Sequence, residues 1–539
     1  MRETFSGGGA SEIRSVPESS QISVGNTVSR DDLLYLCGLS GKGLPVRVTD
    51  YAAVKGLTYG TQQIDAATGR IVAATALNSE ATSAGSRLAV LQHSDGTILT
   101  LSSYIAGSGG ARLLQLSADG SVLKTINVDS TVIEAGQYKL LKLGNGNIAA
   151  IFCMHDTPSN IKIAIYDTYL NEIKSLTVIA STPTNSPFYD AVALAAGGFA
   201  VLYQDEASPL LSKLATFDNS GTAVLAATTV WTRTGTTGPQ YHAMAQLSNG
   251  NLAFAISSVN TVSSIGLYYS IWTAAGVQVL AATNLGTVSL AALPEIVAGL
   301  GYFAIARANG TDQKAWVFDN AGAVQGTGFS IASSAGNASS KIKLLWDGVA
   351  FYLIWHRSSD TKCVLTKLPV TGTGYITTVI TTTVTQYNFY VDAFLLDGFI
   401  VAVSMSGVIS GGDALAMWVV DVASGALVNA AGTPLGSDPT TSGVHPTIIS
   451  GGDRALIAMY DYVNVIGTNL FVGKWAPTAV LGVSADSATK NITVAVQNKP
   501  GTYKINPVGG ARNKAFDMSS GTILGGKGVM VAGGSVTFV

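Results

Sequence analysis

The side chains with the most capacity for chemistry recur at one place in the sequence. Tyr138, Tyr189, Tyr241 and Tyr390 each stand eight or nine residues before a glycine, namely Gly146, Gly198, Gly250 and Gly398. Gln137, Asp190, His242, Asp392 and His445 are adjacent to these tyrosines or hold the equivalent place in their own segment. If such positions gather around one opening, they form an aromatic and polar rim. A rim of that kind suits stacking against sugar rings or contact with another protein. The competing expectation is that the tyrosines pack between repeated units.

Carboxylates offer a second possibility, because a pair of them can carry out general acid–base hydrolysis. Asp190, Asp205-Glu206, Asp392 and Asp461 flank apolar segments, and converging loops would make them an acidic ring. Loop carboxylates are more often simply solvated. Other chemistry finds little support. The histidines are His93, His155, His242, His356 and His445, with no HxH or HExxH pattern, and Cys153-Met154-His155-Asp156 is too sparse for a metal centre. Cys37, Cys153 and Cys363 are isolated and odd in number, which argues against a disulfide framework or a zinc site and for buried, reduced thiols. No Gly-x-Ser-x-Gly elbow and no phosphate-binding loop is present. Ser94-Asp95-Gly96-Thr97 and Ser117-Ala118-Asp119-Gly120-Ser121 echo part of a sialidase box, but they lack its spacing and its Trp, and turn chemistry accounts for both. The expectation is therefore no catalytic residue, no metal and no cofactor.

The elements that position these residues are strands. The 539-residue chain is 47% hydrophobic and only 12% charged, with 60 Gly against 15 Pro, a strand-and-turn composition. A glycine turn recurs at Gly96, Gly146, Gly198, Gly250, Gly301, Gly348, Gly398 and Gly452, at intervals of 50, 52, 52, 51, 47, 50 and 54 residues. The flanks of each turn alternate with period two, as in Phe199-Val201-Tyr203, which excludes a helical solenoid. Asp-Gly and Asn-Gly at these turns predict two-residue type I′ hairpins, with positive φ at both central residues. A second hairpin follows each one, marked by an aromatic-Asp-x-x-Gly turn such as Phe217-Asp218 to Gly221. Two hairpins in about fifty residues make one propeller blade. The predicted fold is all-β, an eight-bladed β-propeller over 61–477, or seven-bladed if one unit is divergent. The segment 63–75 reads as an unpartnered outer hairpin that completes the last blade and closes the ring.

The flanks read differently. Residues 1–23 predict a flexible arm. Residues 24–60 and 478–539 contain short alternating strands, each too few for a core of its own. They are expected to pack together as one small β domain into which the propeller is inserted.

Ser23-Val24-Gly25-Asn26-Thr27-Val28 and Gly43-Leu44-Pro45-Val46-Arg47-Val48 resemble small β modules of tailed-bacteriophage virion proteins, as do Ala479-Val480-Leu481-Gly482-Val483-Ser484-Ala485 and Asn491-Ile492-Thr493-Val494-Ala495-Val496. The resemblance implies a structural component of a virion, anchored by the flank domain, whose partners are other virion proteins and copies of itself. The alternatives are a carbohydrate-binding propeller that reads a host-surface glycan, and a glycan hydrolase. A net charge of -2 and the lack of a basic patch predict no nucleic-acid partner. No apolar run is long enough for membrane insertion. The first residues lack the apolar core of a signal peptide, so synthesis in the host cytoplasm is expected.

Overall fold

The computed structural model describes residues 89–427 except 94–96, 105–109, 117–121, 131–136, 154–158, 183–188, 206–210, 234–239, 262–263, 289–292, 310–311, 333–341, 358–361, 381–390, 397 and 407–413. Outside that range it describes the strands alone, and of their side chains only Leu34.

The chain divides into two units. In the larger one, the described residues form eight four-stranded sheets. Seven follow in sequence: 89–129, 137–182, 189–232, 240–288, 295–332, 343–379 and 391–437, called blades 1 to 7. The innermost strand of each blade lies beside that of the next, and the innermost strand of the eighth lies beside that of the first. That cycle is a β-propeller.

The eighth blade shows how the ring closes. Thr447–Ser450, Arg454–Asp461 and Gly467–Trp475 supply three strands, and Ile71–Glu80 supplies the outermost one. This N-terminal strand overlaps the second half of the hairpin predicted over 63–75 and completes the last blade. Residues 63–70 lie outside the described residues.

The turns explain the glycine spacing, with one correction. In blade 2, Leu143 N–H donates to Asn147 O at 2.8 Å and Gly146 N–H to Leu143 O at 2.9 Å. Only Gly146 in that loop has positive φ, at 90°. This is a three-residue loop closed by a left-handed glycine, not a type I′ turn. Blade 4 repeats it at Leu247, Gly250 and Asn251. Gly198 is confined further: its φ is 78°, and an added Cβ would lie 2.0 Å from Phe217 O. The outer hairpins use an aspartate. Asp218 Oδ1 accepts from Ser220 N at 2.8 Å and Thr222 N at 2.9 Å, and Asp319 accepts from Ala321 and Ala323 in the same way.

The core lies between blades. Ile148–Cys153 is buried along its whole length. Alternate residues point to opposite neighbours: Ile148, Ala150 and Phe152 pack toward blade 1, while Ala149, Ile151 and Cys153 pack toward blade 3. Each aromatic buried in these seams contributes about 1.5–3 kcal/mol. Phe199 stacks on Phe217 and Phe303 on Phe318, with ring centroids 5.0 and 4.7 Å apart.

The smaller unit contains a five-stranded sheet drawn from both flanks, in the order Gln21–Ser23, Thr493–Gln497, Pro477–Ser484, Leu33–Cys37, Gly43–Pro45. One feature differs from the sequence reading: Gln21–Ser23, expected in the flexible arm, is a strand paired with residues 493–495. Strands Gly501–Lys504, Thr522–Leu524, Val529–Ala532 and Ser535–Phe538 form a second, four-stranded sheet in the same unit. The remainder of the predicted arm lies outside the described residues.

Candidate functional site

The inner strands bring Tyr138, Tyr189, Asp190, Tyr241, His242 and Asp392 of the predicted rim to the strand starts, where Tyr138, Tyr189, His242 and Asp392 are buried. Tyr138 is buried and stacks on Phe152, with centroids 6.2 Å apart at 23°. Tyr189 is only 1% exposed, and its hydroxyl donates to Ile151 O at 2.8 Å and Gln137 O at 3.1 Å. Both rings sit between blades, so neither offers a face to a sugar. Tyr241 is half-buried. His242 is buried, with Nε2 2.9 Å from Ser212 Oγ of the preceding blade. This resembles a nucleophile–base pair, but Ser212 is fully enclosed and no substrate atom reaches it. Tyr390 and His445 lie outside the described residues.

The predicted acids are tied to neighbouring blades. Asp190 pairs with Lys139 of blade 2, and its other carboxylate oxygen accepts from Met244 N of blade 4 at 2.7 Å. One side chain thus joins three consecutive inner strands. Asp205 pairs with Lys213 of its own blade. Asp392 is buried, its Oδ1 3.5 Å from Lys343 Nζ, and Lys343 Nζ is also 3.3 Å from Glu295 Oε1. Glu295, Lys343 and Asp392 stand on the inner strands of blades 5, 6 and 7. Glu295 first and Asp392 next hold the Lys343 ammonium above its ordinary pKa, against the effect of burial. Glu206 lies outside the described residues, and of Asp461 only the backbone is described.

Toward the other end of the inner strands the character changes. An open depression of about 500 Å³ is lined by Val192, Met244, Ala245, Ile296 and Val297, with Lys142 among its lining residues. In blades 2 to 5 the strand ends are therefore mostly apolar, while the charged contacts between blades lie at the strand starts.

A polar seam between blades 3 and 4 was not visible in the sequence. Besides Ser212 and His242 it contains Gln204 and Arg233, both buried, and the tilted ring pair Trp231–Tyr268 at 5.1 Å. Burial lowers the Arg233 pKa. In blade 5, Arg307 is fully buried; burial pushes its guanidinium down to about 9, and nearby Tyr241 opposes that shift. No run of consecutive residues marks these seams, because their members come from different blades.

Among the described residues no group of three or more His, Cys, Asp or Glu could hold a metal ion. Cys153 and Cys363 are buried and not joined in a disulfide, and the side chain of Cys37 lies outside the described residues.

No family model matches the sequence, and no curated protein does. Solved structures share its shape weakly. The WD40 domain of SCAP from fission yeast is 8% identical over 75% of this chain and 98% of that one, with a TM-score of 0.41. A lectin from Burkholderia pseudomallei is 11% identical over 65% and 99%, with a TM-score of 0.41. A prolyl endopeptidase is 11% identical over 72% of this chain, with a TM-score of 0.40, and this chain spans 55% of its length. Likeness at this level does not bear on activity.

Proposed function

We propose that this chain is a non-enzymatic structural and binding protein, a component of a tailed-phage particle as its flank motifs imply. One observation carries the non-enzymatic part. Asp190, Glu295 and Asp392, which could have formed an acidic centre, are committed to contacts that hold blade to blade. A hydrolase needs two carboxylates facing a substrate across an open gap. Here the inner carboxylates face lysines and a backbone N–H, and the rigid ring serves as a platform.

The test is twofold. Polysaccharides incubated with the purified chain should keep their length; shortening that disappears in Asp392→Asn would overturn the non-enzymatic reading. Electron microscopy of phage particles with this chain labelled should show it at fixed positions. A chain that never associates with particles would overturn the structural role.

Carbohydrate binding is the second reading, favoured by Trp231 and Tyr268. These rings are only half-buried and lie in the seam that holds Arg233. Part-exposed aromatics can stack on a sugar. Glycan binding lost in Trp231→Ala and kept in Tyr189→Phe would establish it. No binding across a broad glycan panel would dismiss it.

A further inference from the structure

The inner strands of the eight blades end alike except at one place. The last-but-one residue of each is apolar, from Leu91 in blade 1 to Ile449 in blade 8. The last residue is Gln, Ala, Trp, Leu or Ser in seven of the strands and charged in one, at Lys142 of blade 2. That lysine stands at the depression of about 500 Å³, whose apolar lining comes from blade 3 with Val192, blade 4 with Met244, and blade 5 with Ile296 and Val297.

Lys142 and Gln246 are the polar side chains of this lining. Gln246 is spent within the fold. Its Oε1 accepts from Ala195 N at 2.7 Å, and its Nε2 donates to Gly250 O at 3.2 Å. Lys142 is not spent. Lys139, three residues earlier, pairs with Asp190, and Lys162 on the third strand pairs with Asp129. Among the described residues no carboxylate pairs with Lys142, whose side chain is exposed. The lining side chains therefore offer a bound molecule an apolar surface and one ammonium, which donates and cannot accept.

We infer that this depression binds a free amphiphile with an apolar chain and a single carboxylate, a fatty-acid anion, its chain against Val192, Ile296 and Val297 and its head on Lys142. The size falls within the roughly 300–1,000 Å³ of ligand pockets, which are mostly apolar with a few polar groups to fix orientation. The ammonium selects an anion. A phosphate, with more charge and more acceptor oxygens, calls for more donors than this one group. A peptide would bring amides, and a sugar hydroxyls, that no lining side chain here can satisfy, and polar groups buried without partners oppose binding. An alkyl chain brings none.

Isothermal titration of the full chain with sodium decanoate, kept below the concentration at which it forms micelles, tests this directly. One decanoate should bind per chain. Decyltrimethylammonium, with the same alkyl chain and the opposite charge, should not bind, and neither should acetate, with the charge and no chain. Lys142→Met should weaken decanoate binding about tenfold, the scale of one hydrogen bond to a charged group. Lys367→Met, on the third strand of blade 6, should leave it unchanged. Ala193→Glu, at the half-buried end of the neighbouring inner strand, supplies a tethered carboxylate and should abolish binding. A chain that binds no decanoate overturns the inference, as does equal binding of the cationic amphiphile or unchanged affinity in Lys142→Met. None of these outcomes touches the proposed scaffold role, which rests on the contacts at the strand starts.

Discussion

The Lys124 ammonium on the outer strand of blade 1 donates to the carbonyl oxygen of Leu170, in the outer turn of blade 2, at 2.8 Å. It also reaches Tyr169 O at 3.1 Å. Lys174 repeats the contact one blade on, donating to Gly221 O. At the next two blades Leu225 and Leu280 take that place, packing on Gly276 and Gly322. The four consecutive seams from blade 1 to blade 5 are thus latched at the perimeter, by ammonium groups first and by leucines after. Lys124→Met keeps the length of the side chain and removes the donor. It should cost about 1 kcal/mol, the scale for a part-exposed bond to a charged group. Chemical denaturation checks this, and unchanged stability would mean the latch is ornamental.

Leu170 itself breaks a pattern. The equivalent turn residues Gly221, Gly276 and Gly322 are glycines with positive φ, and Leu170 adopts φ of 58°, the one non-glycine residue to do so among those described. A left-handed residue costs roughly 1–2 kcal/mol. Yet its side chain is 2% exposed and packs with Tyr166 and Leu176. Deleting a buried leucine costs about 2–5 kcal/mol. Burial outweighs strain, so Leu170→Gly should destabilise by about 2 kcal/mol although it relaxes the backbone. A gain in stability would reverse the ordering of the two effects.

Alkaline pH should loosen the seams on either side of blade 2. Burial, reinforced by Glu172, pushes the Tyr166 phenol up to about 12, and burial with Asp205 does the same for Tyr203. Unfolded tyrosine titrates near pH 10. Below that, folded and unfolded chains both keep the protons, and stability is unaffected. Between about pH 10 and 12 the unfolded chain releases protons that the folded chain retains, so stability falls as pH rises. Denaturation midpoints should therefore drop across this window. Tyr166→Phe with Tyr203→Phe should flatten the drop, and an unchanged slope would assign it to other groups.

The legible and illegible parts of this protein divide along physical lines. Turns leave local marks: a left-handed position selects glycine, and an outer hairpin selects an aspartate that accepts two backbone N–H groups, as Asp218 does. The repeat, the all-β class and the position of the inner strands could be read from those marks. Direction could not. In a strand one step along the chain turns the side chain to the opposite face, so Tyr189 packs against blade 2 while Asp190 binds the inner strand of blade 4. Glu295 and Lys343 escaped notice because the hairpins after them, built on Gly299-Leu300-Gly301 and Asp347-Gly348, differ in length from those of blades 2 to 4. Ser212, Arg233 and Arg307 escaped because a seam is assembled from residues of different blades.

The inner ring makes the most discriminating prediction. Lys343 is 29% exposed at its side chain, Glu295 28%, and Asp392 only 6%. The pair with Glu295 is the shorter, and Glu295 does most to hold the ammonium charged. Desolvation nonetheless weighs more heavily on Asp392, because a buried charge deprived of its counterion is costly while a part-exposed one is rescued by water. Lys343→Met should then cost about 2 kcal/mol at neutral pH, below the partner-free lysine pKa, where the ammonium contributes in full. In an Asp392→Asn background the same change should cost roughly half as much, and in a Glu295→Gln background nearly the full amount. The double-mutant cycle is read by denaturation. Equal costs in all three backgrounds would mean that Lys343 acts through packing alone; a larger relief from Glu295→Gln would place the stabilising pair between blades 5 and 6 rather than between blades 6 and 7.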